Sequence, residues 1–218
     1  SNLRVLQMQL HPHFMFNTHN AIATLIHKDP KTAEKMLMNL SGLLRFSLKK
    51  VNIQEVSLEK ELDFLNKYLE IEKIRFQQRL KVTINVQPET LRAAVPNMIL
   101  QPLVENAIKH GIAPLARGGE IKIEAARDEG YLNLTVSDNG IGLSAEITTS
   151  AAGGGGIGLA NTKARLEQLY KDKGKLEIWT APNQGLRIQI KIPFREIKKN
   201  EQILADEIKA YEDTHLDC

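Results

Sequence analysis

Apolar residues recur at helical spacing through the first third of the chain. Asp29 is a good helix-capping acceptor, and Pro30 sacrifices no hydrogen bond at a first helical position, so a helix is predicted to begin there. Ser57 predicts a second helix start in the same way. Two amphipathic helices with a short polar link predict a hairpin or a bundle. The apolar positions are Ala33, Met36, Leu37, Leu40, Leu43 and Leu44 in one helix, and Leu58, Leu62, Leu65 and Leu69 in the other.

After Leu80 the apolar residues alternate with polar ones, which predicts strands. The segments are "KVTINVQ", "IKIEAAR", "LNLTVSD", "KLEIWTA" and "GLRIQIKI". Helices are predicted between them at about 97–110 and 158–170. This order predicts an α+β fold with antiparallel strand pairs and a sheet covered by helices on one face. We divide the chain into a helical region (1–80), an α/β domain (81–195) and a charged, helix-prone tail (196–218).

The composition narrows the class of protein. The chain has 218 residues, enough for one large or two small domains, and its formal charge of +3 is too small to indicate a nucleic-acid partner. The single cysteine, Cys218, allows no disulfide framework and points to a reducing compartment. No apolar run has transmembrane length and no signal peptide is visible, so we expect a soluble segment. Its start inside an amphipathic pattern is typical of a piece of a longer protein.

The segment "QPLVENAIKHG", residues 101–111, combines a buried face with polar side chains. Asn106 and His110 are four residues apart, so in an α-helix they share a face. Glu105 and Lys109 have the spacing of a surface ion pair. Taken alone, the segment is better explained by an ordinary capped, hydrogen-bonded helix than by a binding site.

Two glycine-rich segments follow, "DNGIGL" (138–143) and "GGGGIGLANTKARL" (153–166). Asp138 ends a predicted strand, and Gly140 and Gly142 would let a ligand approach the backbone, although a simple turn explains them too. The second segment opens a helix, whose free N–H groups suit a phosphate. It is not a P-loop, because the Gly-Lys-Ser/Thr sequence is missing. The order of all three segments favours a nucleotide site.

The three segments resemble the N, G1 and G2 boxes of the GHKL (Bergerat-type) ATP-binding fold of histidine kinases and gyrase-type ATPases. The segment "HPHFMFNTHNAI", residues 11–22, resembles the phosphoacceptor box of the LytS/YehU-type sensor histidine kinases, usually Asn-Pro-His-Phe-Leu-Phe-Asn. "YLEIEKIRFQQRL" is also similar to that subfamily. The resemblance covers about residues 3–194. It implies a helical dimerisation and phosphoacceptor region followed by a two-layer α/β sandwich.

The resemblance implies a role for each matching residue at the nucleotide. Asn106 would coordinate Mg²⁺ through its side-chain oxygen, and Asp138 would accept a hydrogen bond from the adenine amino group. Gly140 and Gly142 would allow close packing of the base. The segment 144–156 would be a mobile ATP lid. The residues implied at the phosphates are Gly156, Gly158 and Leu159, with Lys109 and His110 as weaker candidates.

His13 would be the phosphoryl acceptor, since neutral imidazole is a competent nucleophile near pH 7. If Pro12 begins the helix, His13 lies in its first turn on a polar stripe. His11 replaces the usual Asn and could accept phosphate in a mutant, tune His13 or have no role. Without the resemblance, a structural or metal-binding role for His11 and His13 would be as good an interpretation. Pro102 stands where gyrase-type hydrolases carry a catalytic Glu, which argues against a free ATPase.

The resemblance therefore implies the catalytic core of a sensor histidine kinase. It would autophosphorylate on His13 with ATP and Mg²⁺ in a homodimer, then pass the phosphoryl group to an Asp of a response regulator, in this subfamily often of the LytTR type. Membrane spans would lie upstream of this part. The part itself would be the cytoplasmic domain of a protein of the inner or plasma membrane. One alternative is a gyrase-type ATP-driven clamp, which Pro102 disfavours. Another is a degenerate module that binds nucleotide, or only dimerises, and signals by conformation.

Overall fold

The structure is a computed structural model that describes residues 12–49, 54–142, 156–181 and 184–197. Three helices come first. They are α1 (Pro12–Lys28), α2 (Pro30–Lys49) and α3 (Leu58–Phe76). The apolar stripes of all three meet in one core, which includes Phe14, Met36 and Leu65.

Both predicted helix starts are confirmed. Asp29 accepts hydrogen bonds from the backbone N–H and the hydroxyl of Thr32, at 3.2 and 2.6 Å. Ser57 Oγ accepts one from the Lys60 N–H at 3.3 Å. The sequence did not predict the short strand β1 (Glu55–Ser57), which pairs antiparallel with β3 (Ala94–Pro96). This pairing joins the segment just before α3 to the segment that leads into the helix at Gln101.

The main sheet has five strands in the order β2-β4-β5-β7-β6. The predicted strands are confirmed, but the parallel pairing of β2 with β4 was not predicted. A parallel pair requires a crossover connection, which residues 87–118 supply. Alternate side chains of β4, β5 and β7 are buried on one face, so the sheet is covered on that face. The strands are β2 (Leu80–Val86), β4 (Gly119–Asp128), β5 (Tyr131–Asp138), β6 (Lys175–Thr180) and β7 (Leu186–Pro193).

The helix predicted over 97–110 differs from the observed one. Residues 97–100 form a turn, and helix α4 spans Gln101–Asn106. A π-helix, Ala107–Ile112, continues it, with Ala113 N–H donating to Ile108 O at 2.8 Å. The wider turn of a π-helix displaces residues from the lines that α-helical spacing predicts. Asn106 is the last residue of α4 and is partly buried, whereas His110 lies in the π-helix and is exposed, so their predicted shared face remains a prediction.

Helix α5 (Gly156–Tyr170) begins close to its predicted start. The predicted lid, 144–156, lies outside the described residues except for Gly156. At the other end, Glu196 forms a β-bridge with Ala93 and Ile197 is buried, while the predicted helical tail beyond them is outside the described residues. Within the described ranges no helix is both long and apolar enough to cross a membrane.

Candidate nucleotide site and phosphoacceptor helix

Asp138 is a buried carboxyl at the end of β5, only 8% exposed. Its Oδ1 accepts a hydrogen bond from the Gly140 N–H at 2.8 Å. Burial raises the pKa of Asp138, and the backbone N–H groups of Gly140 and Leu186 partly offset that rise. An ionised carboxylate can only accept hydrogen bonds, so an amino group of a bound molecule would be a suitable hydrogen-bond donor to it.

Gly111 lets the end of the π-helix pack directly against Asp138. A Cβ atom at Gly111 would lie 2.6 Å from Asp138 Oδ1, and one at Gly140 would lie 2.5 Å from the backbone of Gly111. Ile141 N–H also donates to Gly111 O at 3.3 Å. The "KHG" and "DNG" segments are thus in contact, at a separation that leaves no room for a side chain at Gly111 or Gly140. Sequence reasoning quoted Gly111 in its motif but gave it no role.

The space beside Gly140 and Gly142 is occupied by the protein's own backbone. Gly142 has φ +68°, and a Cβ atom there would lie 2.2 Å from Ala181 O. Because both positions exclude a side chain for internal reasons, packing alone accounts for these glycines. Their predicted role in binding the base remains a prediction.

Asn106 and Gly158 are neighbours, although they lie far apart in sequence. A Cβ atom at Gly158 would lie 3.7 Å from Asn106 Nδ2 and 3.5 Å from Pro102 Cβ, so the first turn of α5 rests against α4. Gly156 is the first residue of α5, and Leu159 is buried within its first turn. The start of α5 therefore meets the end of α4, which brings two of the three segments together.

The Asn106 amide fits a metal ligand. Its Nδ2 is buried and has no hydrogen-bond partner among the described residues. An unpaired buried amide group is costly unless a ligand or water satisfies it. The oxygen and nitrogen of an Asn amide are assigned from their surroundings, so the amide oxygen can take the place of the unpaired nitrogen. An amide oxygen is a ligand type that Mg²⁺ accepts.

The charged and titratable residues of α4 and the π-helix differ from one another in exposure. Lys109 and His110 are exposed as whole residues. Partial desolvation of the His110 imidazole lowers its pKa, and the charge of Lys109 lowers that pKa further. Glu105 is half-buried and not fully on the surface, although the charge of Lys109 acts on its carboxylate as expected for the predicted pair. Its carboxylate accepts a hydrogen bond from Gln101 Nε2 at 2.6 Å, and burial raises its pKa to about 7.

His13 lies in the first turn of α1, as predicted, and its side chain lies outside the described residues, as does all of His11. The adjacent Phe14 is buried, with its ring centroid 5.0 Å from that of Tyr68 on α3. This contact fixes the start of the helix that carries His13 to α3.

Sequence reasoning missed two charged residues behind the site. Glu61 is fully buried and accepts backbone hydrogen bonds from the turn before α4, and Arg165 donates to Asn97 O in the same turn. A signal for Glu61 was available, because it lies on the apolar stripe of α3 between Leu58 and Leu65. No comparable pattern marks Arg165.

Two family models match the chain. The histidine kinase model matches residues 1–80, and a model for histidine kinase-, DNA gyrase B- and HSP90-like ATPases matches residues 94–196. The chain is 35% identical to the sensor histidine kinase BtsS of Escherichia coli over 90% of its length, and 37% identical to YesM of Bacillus subtilis over 89%. The sensor protein LytS of Oceanobacillus iheyensis is 33% identical over 91% of the chain. The match covers 34–35% of each relative, so the chain spans about a third of their length.

A solved structure supports the fold. The histidine kinase domain of the blue-light activated histidine kinase EL346 from Erythrobacter litoralis superimposes with a TM-score of 0.52 at 16% identity, covering 94% of this chain and 95% of that one. At this identity the likeness concerns the fold alone. The two family models together match residues 1–80 and 94–196, and with the sequence relatives they lead to one conclusion: the chain belongs to the histidine kinase family.

Proposed function

We propose that this chain is the catalytic core of a two-component sensor kinase that phosphorylates its own His13 from ATP and passes the phosphoryl group to an Asp of a response regulator. One observation carries the proposal. Asn106 meets Gly158, and Asp138 meets Gly111, in a domain that matches the ATPase model, and this domain follows a helix with His13 in its first turn.

At the nucleotide, each residue would have a distinct task. Asn106 would hold Mg²⁺, which supplies positive charge to the phosphates when bound. Asp138 would accept a hydrogen bond from the adenine amino group. Gly140 and Gly142 would border the base. The remaining proposed contacts are Gly156, Gly158 and Leu159 at the phosphates, with Lys109 and His110 nearby.

At the phosphoacceptor, positioning matters more than a strong base. Neutral imidazole of His13 would attack the γ-phosphorus, forming an N–P bond as the bond to the ADP oxygen breaks, and the ring proton would pass to solvent. The contact of Phe14 with Tyr68 supports this role, because it holds the first turn of α1 in place.

We also propose a homodimer that forms through α1 and α2. Both helices expose large apolar side chains: Phe16 is 72% exposed and Met38 67%. Exposed apolar surface of this kind is typical of an interface. The cognate response regulator would be of the LytTR type, and contact with a membrane would come only from segments upstream. The division into parts 1–80, 81–195 and 196–218 is likewise a proposal.

A second candidate is a degenerate module that no longer binds nucleotide, only dimerises, and signals by conformation without phosphoryl transfer. The backbone packed beside Gly140 and Gly142 favours it, since both glycines are explained without a ligand. A thermal shift with a non-hydrolysable ATP analogue separates the two. A ligand that binds only the folded state raises the unfolding temperature.

The kinase core predicts a rise in the unfolding temperature that grows with Mg²⁺, and Asn106→Ala should abolish the Mg²⁺-dependent part. Asp138→Asn should reduce the shift with or without Mg²⁺. A scaffold without a nucleotide site predicts no shift in any variant.

A further inference from the structure

A buried junction lies behind the candidate nucleotide site, at the turn 97–100. Glu61 on α3 is fully buried there. Its Oε2 accepts a hydrogen bond from the Met98 N–H at 2.8 Å, and its Oε1 accepts one from the Leu100 N–H at 2.9 Å. One carboxylate from a distant helix thus satisfies two N–H groups of this turn, which would be costly to leave buried without partners.

The same turn contains an unfavourable backbone conformation. Met98 has φ 57°, in the left-handed region that a residue with a long side chain rarely adopts. Such a conformation persists only where its surroundings fix it. The hydrogen bond that the Met98 N–H donates to Glu61 is a direct means of fixing it.

Arg165 on α5 holds the turn from the opposite side. Its guanidinium donates to Asn97 O and, at 3.4 Å, to Gln54 O. Its positive charge also acts on Glu61 and opposes the rise in the pKa of that carboxyl that burial causes. The turn is therefore held by two side chains. The Glu61 carboxylate accepts hydrogen bonds from its N–H groups, and the Arg165 guanidinium donates one to its Asn97 carbonyl.

This junction is connected to the site at both ends of α4. Helix α4 begins directly after Leu100 and ends at Asn106. Gly158, next to Asn106, lies two helical turns before Arg165 on α5. The α5 helix thus touches the segment once at its start and once at its end. A displacement of the turn would move Asn106 relative to Gly158.

We propose that Glu61 is a positioning residue of the nucleotide site, acting with Arg165 through the turn 97–100 to hold Asn106 against Gly158. The inference rests on the proposed role of Asn106. Glu61 lies in the part that matches the histidine kinase model, whereas Asn106 and Arg165 lie in the part that matches the ATPase model. A residue of the first region therefore sets the geometry of the site in the second.

The test compares Glu61→Gln with Glu59→Gln in the whole chain. Both changes remove one carboxylate from the first two turns of α3, but Glu59 is exposed. The Gln side chain keeps the shape of Glu61 while placing an NH₂ group against one backbone donor. The readout is the dissociation constant of a fluorescent ATP analogue with and without Mg²⁺, measured well below the unfolding temperature of each variant.

We expect Glu61→Gln to reduce the Mg²⁺-dependent gain in affinity by about fivefold or more, the factor that corresponds to one lost hydrogen bond of ordinary net strength. Glu59→Gln should keep the wild-type gain. Arg165→Lys should show the same loss as Glu61→Gln, because a single ammonium cannot reach both carbonyls as the guanidinium does, and it serves as the test if Glu61→Gln fails to fold.

The outcomes separate this inference from the proposed function. A wild-type Mg²⁺-dependent gain that Asn106→Ala abolishes but Glu61→Gln and Arg165→Lys leave intact would overturn the positioning role alone. No nucleotide binding by the wild type would overturn the proposed function and this inference with it. A purely structural role of Glu61 would lower the unfolding temperature and leave the Mg²⁺-dependent gain unchanged.

Discussion

Single glycine residues determine how closely the backbone segments of the candidate site pack against one another. The sequence assigned Gly140 and Gly142 to contact with a ligand, whereas the structure also gives them contacts with Gly111 and Ala181. Sequence reasoning could locate the glycines, because the motif order is specific. It could not see which backbone segment approaches each one, since those partners lie elsewhere along the chain.

Gly111→Ala should weaken nucleotide binding. The added Cβ would lie 2.6 Å from Asp138 Oδ1, so the carboxylate or the π-helix must shift. Overpacking of this kind costs about 1–3 kcal/mol, and we expect a loss of roughly tenfold in affinity for an ATP analogue, measured by equilibrium titration.

Gly130→Ala is the matched control. Gly130 lies in the turn between β4 and β5 with φ +80°, and its Cβ would meet nothing within 4 Å. The change should lower stability by about 1 kcal/mol through backbone strain and leave nucleotide affinity unchanged. Equal affinities in the two variants would contradict the contact of Gly111 with Asp138 as a determinant of the site.

Glu105→Gln should alter the dependence of stability on pH. Burial raises the pKa of Glu105 from 4.5 to about 7, so the folded state favours the protonated form. The stabilisation from this group is complete below pH 4.5 and is lost as the pH rises to about 7, by at most about 3 kcal/mol.

Because Gln resembles the protonated acid, the variant should gain stability over the wild type at pH 8 and differ little at pH 4. Urea unfolding at the two pH values measures this, with exposed Glu59→Gln as the control. A variant that is less stable than the wild type at pH 8 would show that ionised Glu105 is well solvated or paired in the folded state.

At the level of helices and strands, the sequence was sufficient to predict an element when the signal for it lies within one segment. The helix starts at Asp29-Pro30 and Ser57 and the alternating strands were predicted, because capping and periodicity are local. The start of α4 and the π-helix after it were not. The turn that precedes α4 donates hydrogen bonds to Glu61, which lies 37 and 39 residues before the donors Met98 and Leu100. No local pattern marks a contact at that separation.

Ser57→Ala should shorten or destabilise the start of α3. Ser57 Oγ accepts a hydrogen bond from the Lys60 N–H at 3.3 Å, and loss of an N-cap costs about 0.5–2 kcal/mol. We expect a decrease of about 1 kcal/mol in the free energy of unfolding, measured by urea titration. Ser57→Thr retains the hydroxyl and should lose less; if Thr and Ala cost the same, the hydroxyl does not act as a cap.

At the level of the whole molecule, the α+β class and two antiparallel strand pairs, β4 with β5 and β6 with β7, were predictable, because each pair is joined by a short turn. The order of the pairs in the sheet was not predicted, since alternation carries no information on which distant strands meet. The parallel pairing of β2 with β4 depends on the crossover that contains α4, and the π-helix of that crossover places Gly111 against Asp138. Side chains on α1 and α2 leave apolar surface without a partner among the described residues.

Phe16→Glu combined with Met38→Glu should produce a monomer. Both side chains are mostly exposed, so the changes should spare the fold while adding like charges to the proposed interface. We expect a wild-type dimer in sedimentation velocity and a dissociation constant raised by on the order of a hundredfold in the variant.

Trp179→Glu, at a 46% exposed position of β6, is the control and should remain dimeric. A wild type that sediments as a monomer at all concentrations, or a double variant that dimerises as well as the wild type, would rule out this interface.

The central claim is that ATP phosphorylates His13 with the help of Asn106. The most direct measurement is the incorporation of acid-labile label from γ-labelled ATP with Mg²⁺ into the wild type, His13→Gln, His11→Gln and Asn106→Ala. The account predicts label in the wild type and in His11→Gln, and none in His13→Gln or Asn106→Ala. Label that persists in His13→Gln, or that disappears in His11→Gln alone, would contradict it.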